Sequence, residues 1–161
     1  MKHTIELRRG TLSTTPDGNT LEGVAVPFGS ASRVLHDRAR PYREVFERGA
    51  VKVSDQTVAL FGHDPSGVPL ARVGSGTLSF DERADGLHFS MRLPEARADL
   101  AEALRRGDLT GAVSIGFVLQ PGGDSWSHRS NPSLRRVRSA ELVELSIVQQ
   151  GAYEGAQGTL T

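Results

Sequence analysis

The sequence predicts a mainly β fold with a few helices, built as a single domain over residues 1–161. Eighteen glycines and eight prolines cut the chain into short segments, a composition suited to many strands joined by turns. Apolar residues recur in alternation or in runs of about four, and only one stretch has helical spacing. At 161 residues the chain is long enough for one real core and too short for two ordinary domains.

Taken in order, "HTIELRR" alternates at Ile5 and Leu7 and predicts a first strand, ended by the turn chemistry of Pro16, Asp17 and Gly18. "TLEGVAVPFG" predicts a second strand bent at Gly23 and closed by Pro27. Ser30 to Pro41 is polar, arginine-rich and without period, so a loop is expected there. In "YREVFERGAVKV" Tyr42, Val45 and Phe46 make a mixed pattern, with Gly49 separating a strand from a short helical or irregular piece. Val58 to Phe61 is a buried-strand run that breaks at Gly62 and the Asp64-Pro65 turn, which leaves His63 at a strand end. "DERADG" joins Leu78 and Phe80 to Leu87, Phe89 and Met91 as a hairpin or meander. The helix is "PEARADLAEALRRGDLTG": Pro94 suits its first turn, Leu100 and Leu104 share a face, and Gly107 stops it. "GAVSIGFVLQ" is the next strand, "PGGDSWSHRSNP" reads as turns, and "LRRVRSAELVELSIVQQ" as one or two more strands. The glycine-rich tail, residues 151–161, is expected to fray.

Composition excludes whole classes of function. Lys plus Arg and Asp plus Glu are both 19, so no global charge draws the chain to a polyanion. With no cysteine, disulfides, thiolate metal sites and cysteine nucleophiles are out. "MKHTIELRRG" lacks the apolar core of a signal peptide, and no run approaches the roughly 18 apolar residues of a membrane helix, so a soluble intracellular protein is expected.

Three residues carry possible chemistry. Ser114 lies in "GAVSIGF", where Ala112, Ser114 and Gly116 form a small face and Val113, Ile115, Phe117 and Leu119 a bulky one. The small face leaves room for close approach of a peptide, and equally suits a tightly packed sheet. A nucleophile elbow does not fit, because the segment continues as a strand and not as a helix. His63 is a natural base for a serine hydroxyl, or else an ordinary loop histidine. Glu144, between Val143 and Leu145, is a carboxylate in a buried strand and needs a partner, either a histidine or an arginine of "LRRVR". Asp64 and Glu141 compete with it for the acid role, although a regular strand would point Glu141 to the opposite face. Metal binding at His63 and Asp64 has no second ligand at useful local spacing. Arg129, Arg135, Arg136 and Arg138 could form a nucleic-acid patch, but a solvated strand edge explains them as well and nucleic acid is disfavoured.

Taken together and in order, "LFGHDP", "AVSIGF" and "ELVELSIV" resemble the signature of the tailed-phage prohead proteases, capsid-maturation serine proteases related in fold to the herpesvirus assembly protease. "LEGVAVPFG" and "YREVFERGAV" resemble the family's opening strands, so the resemblance spans about residues 20–155. It implies a compact, closed or partly open β-barrel and a triad of Ser114, His63 and Glu144, without metal or cofactor. It further implies cleavage of scaffolding protein and major capsid protein, including self-cleavage, inside the assembling prohead in the host cytoplasm. A homodimer or higher assembly within the prohead is also implied, with no membrane partner. The chain ends soon after the protease-like region, so the scaffold is expected on a separate protein or on a segment removed from this one. A noncatalytic capsid-assembly protein on the same fold is the alternative, and it predicts a Ser114 and His63 too far apart to bond.

Overall fold

A computed structural model describes residues 6–14, 18–38 and 40–149, with the side chains of residues 6–9 and 11–14 outside that description. Ile5, the turn at Pro16 and Asp17, and the tail 151–161 lie outside the described residues.

The protein is mainly β, as its punctuation by turn residues predicts. A larger sheet runs in the order β7 (Ala71–Arg72), β6 (Val58–Phe61), β13 (Ala140–Val148), β10 (Ala112–Leu119), β1 (Glu6–Thr14), β2 (Thr20–Pro27), β9 (Gly86–Arg92) and β8 (Leu78–Glu82). The short β5 (Val51–Lys52) also pairs with β13. A smaller sheet contains β11 (Asp124–Ser127), β12 (Ser133–Val137), β4 (Arg40–Phe46) and β3 (Leu35–Asp37). The hairpin read from "DERADG" is β8 and β9, with Phe80 opposite Phe89 and Leu78 opposite Met91.

Among the described residues there is one α-helix, α1 (Ala98–Arg106), entered through a 3-10 turn at Glu95–Arg97. Pro94 precedes that turn in extended conformation instead of lying within it. Gly107 ends the helix in the left-handed region, at φ 78°, and its N–H donates to the carbonyls of Ala103 and Leu104. Leu100 is buried and Leu104 packs at the core's edge, as their shared face requires.

Several expectations are corrected. The stretch 30–41 is not all loop: β3 and the start of β4 form a hairpin there, with Asp37 opposite Arg40. Its residues are mostly exposed, so no hydrophobic period announced it. Part of "PGGDSWSHRSNP" is the edge strand β11, paired to β12. The bend of β2 falls between Val24 and Val26 rather than at Gly23.

The larger sheet does not close into a barrel. Its ends, β7 and β8, share no ladder among the described residues. They meet at the 3-10 turn between them, where the Arg72 N–H donates to Thr77 Oγ1 (2.9 Å) and the Thr77 N–H to the Arg72 carbonyl (3.3 Å). Two residues of β7 are too few to carry a ladder across. The sheet nevertheless encloses one core, since Ala71 and Ala59 from one end join Phe89, Met91 and Leu78 from the other in a single cluster. Phe46 and Val137 of the smaller sheet, and Leu100 and Ala101 of α1, complete it. Phe46 meets Phe117 edge-on, with ring centroids 5.2 Å apart. Each fully buried aliphatic side chain here stabilises the fold by about 1.5–3 kcal/mol.

Candidate active site

Ser114 occupies the middle of β10, which runs antiparallel between β1 and β13. The strand is continuous through the serine, so the elbow geometry is absent, as the flanking sequence indicated. Val113, Ile115 and Phe117 are fully buried in the core. The small face is covered too: Ala112 and Gly116 are buried and Ser114 is 5% exposed. Among the described residues, Ser114 Oγ has no hydrogen-bond partner.

Opposite it, β13 carries Ser146 against Ser114 and Glu144 against Gly116. Directly opposed residues in an antiparallel pair project to one side, with Cβ atoms roughly 4.5–5.5 Å apart. The strand is bulged, because Gly116 pairs with Glu144 while the next residue, Phe117, pairs with Leu142. Val143 is the extra residue. Its insertion turns Leu142 to the core with Leu145 and Ile147, and leaves Glu144 and Ser146 on the face of Ser114. A bulge disrupts the ladder locally, and the Leu142 carbonyl takes a bond from the buried Thr57 hydroxyl (2.9 Å).

His63 arrives from the other side of β13. Strand β6 runs parallel to β13, with Leu60 beside Ser146 and Phe61 beside Ile147, and the chain then turns sharply. The Gly62 N–H donates to the Ile147 carbonyl (2.9 Å), and both Gly62 (φ 63°) and His63 (φ 61°) adopt the left-handed region. For a residue with a side chain that conformation costs about 1–2 kcal/mol. It returns the imidazole over β13, where Nδ1 bonds Glu144 Oε1. The second carboxylate oxygen, Oε2, accepts from the Ser146 hydroxyl (2.8 Å), and Ser146 Oγ accepts from the His63 main-chain N–H (3.2 Å). Glu144 is 6% exposed and Ser146 wholly buried, whereas the His63 side chain is 24% exposed. An ionised carboxylate only accepts, so a neutral His63 facing it carries its hydrogen on Nδ1 and keeps the Nε2 lone pair.

The fold thus brings His63 and Glu144 into contact across 81 residues and sets Ser114 one strand away. No hydrogen bond joins Ser114 Oγ to His63 among the described residues. The competing acids are placed elsewhere. Asp64 folds back on its own turn, accepting from the Ser66 N–H (2.9 Å) and hydroxyl (2.6 Å), and these bonds hold its carboxyl below the usual aspartate range. Glu141 lies opposite Val118, so the bulge puts it on the face of Glu144 and not on the opposite one, but it is exposed and two ladder steps away.

No arginine of "LRRVR" bonds Glu144 among the described residues. Arg135 is buried in the smaller sheet, donating to Glu44 Oε2 (3.1 Å) and Asp124 Oδ2 (2.8 Å) beneath the Trp126 ring. That burial removes one member of the supposed nucleic-acid patch. Sequence reasoning missed Ser146 and the bulge. The serine had a signal, since Glu144 and Ser146 alternate with Leu145 and Ile147 as two polar groups on one face of a buried strand.

A family model described as caudovirus prohead serine protease matches residues 4–160. No curated protein and no solved structure matches the chain significantly.

Proposed function

The chain belongs to the caudovirus prohead serine protease family, and we propose that it hydrolyses peptide bonds with Ser114 as nucleophile, His63 as general base and Glu144 as the acid that orients the ring. A capsid-maturation protease is what membership of the family means. The observation that supports the three assignments is the His63–Glu144 bond, formed at the one place where β13 also faces Ser114.

In this mechanism Ser114 Oγ attacks the scissile carbonyl while His63 Nε2 takes the hydroxyl proton. Glu144 stays ionised, holds Nδ1–H and stabilises the imidazolium that forms. His63 then gives the proton to the departing amine. Water, activated by the same nitrogen, releases the acyl group from Ser114. Catalytic hydrogen bonds are commonly long in unliganded enzymes and tighten around substrate, so an unmade Ser114–His63 bond is compatible with this sequence of steps. That unmade bond and the burial of Ser114 are the observations that favour a noncatalytic assembly protein. Against that reading stands a histidine kept in a strained conformation, with its ring part-exposed and aimed by a buried carboxylate.

The substrates of this reading are the scaffolding and major capsid proteins, with self-cleavage, inside the assembling prohead in the host cytoplasm. A dimer or higher assembly would raise local concentration there. The single core shared by both sheets supports one protease domain, and the curled sheet whose ends meet near Thr77 supports a partly open barrel of the herpesvirus-protease type. Co-expression with the shell and scaffold proteins, read by mass spectrometry, tests the assignment. Wild type should generate new termini and Ser114→Ala none; equal processing by the folded Ser114→Ala chain would refute it.

A further inference from the structure

We infer that Ser146 is a positioning residue of the active site: its hydroxyl ties the His63 main chain to the Glu144 carboxylate and so sets the geometry of both. The inference rests on the triad reading above.

A serine buried in a sheet most simply satisfies its hydroxyl on a nearby main-chain carbonyl. Ser146, wholly buried, donates instead to Glu144 Oε2 (2.8 Å) and accepts from the His63 N–H (3.2 Å). Each bond fixes something different. Holding Oε2 stops rotation of the carboxylate about its last torsion, which keeps Oε1 on His63 Nδ1. Holding the His63 N–H anchors the backbone at φ 61°, a conformation unfavourable for an L-residue. Ser146 also sits directly opposite Ser114, so the hydroxyl that organises the base and acid shares a ladder rung with the nucleophile. Without it, a carboxylate oxygen and a main-chain N–H would both lose their partner at a little-exposed site. The ring would then be free to turn away from the serine.

The test uses the whole chain and a fluorogenic peptide spanning a cleavage site identified by mass spectrometry. Ser146→Ala and the near-isosteric Ser146→Cys, a weak donor, should each lower kcat by roughly 10–100-fold with KM little changed, the scale expected for a misplaced base. Ser146→Thr, which keeps a hydroxyl, should recover most of the rate. In a Ser114→Ala background, the low-field proton signal of His63 Nδ1–H should broaden and shift when Ser146 becomes Cys. Full kcat in Ser146→Cys, with that signal unmoved, would overturn the positioning role while Ser114→Ala remains inactive and the triad stands. Cleavage by Ser114→Ala would remove the triad and this role with it.

Discussion

Among the described residues two carboxylates are buried in strands, and they have opposite surroundings. Glu44, on β4, is 1% exposed and meets Arg135, a cation at any ordinary pH, which Asp124 and Trp126 also hold. Glu144, on β13, is 6% exposed and meets a histidine whose ring reaches solvent. One pair is buried between a carboxylate and a guanidinium and links β4 to β12 of the smaller sheet. The other ends in an imidazole partly open to solvent, with Ser114 one strand away. Burial of an acid therefore does not by itself make it a candidate for catalysis; the chemistry of its partner does.

Substitutions can break that distinction, beginning with the largest expected effect. Glu144→Gln should lower kcat/KM by about 10,000-fold, the loss seen when a triad acid can no longer select the tautomer, while the urea midpoint hardly moves. Peptide cleavage and urea unfolding of the same preparation check both halves, and an unchanged rate would shift the acid's role to Glu141. At the other pair the pattern should invert. Arg135→Met removes the cation that faces buried Glu44 and should cost about 3–5 kcal/mol of stability, with kcat of the folded fraction unchanged. Replacing Glu44 by Leu in that variant should restore most of the loss; a large fall in kcat would mean the two sites are coupled.

Smaller effects sharpen the picture. Thr57→Val removes the hydroxyl that donates to the Leu142 carbonyl at the bulge and accepts from the Ser54 N–H, and should cost about 1–3 kcal/mol by urea unfolding. If the bulge slips as a result, Glu144 leaves the face of Ser114 and activity falls as well. Asp64→Asn should have the smallest effect on cleavage, because the side-chain oxygen can still accept from the Ser66 N–H. Its consequence is a matter of pH. The Asp64 carboxyl is held below its ordinary range by the Ser66 bonds, so its help to the turn is present above that range and lost as pH falls through the depressed folded value. Thermal melts should show a small acid-side loss in wild type that is missing in Asp64→Asn.

The parts of the fold legible in advance were those with a local pattern. The α1 stripe of Leu100 and Leu104, the Gly107 stop and the β8–β9 hairpin announced themselves within a dozen residues. Where strands are exposed or only half-buried, as in β3 and β11, or where closure depends on two-residue β7 reaching β8, no hydrophobic period existed to read. The bulge at Val143 was invisible for a related reason: Leu142, Glu144 and Ser146 are evenly spaced, and an inserted residue changes facing without changing composition.

By itself, the sequence determined that Ser114 lies on the small face of a strand and that Glu144 needs a partner. Those follow from a two-residue repeat and the cost of burying a charge. Which partner Glu144 takes was decided only in three dimensions. Backbone ladders form between any two compatible strands, so nothing local says that β6 runs parallel along β13, or that a left-handed turn returns His63 rather than Arg135 to the carboxylate.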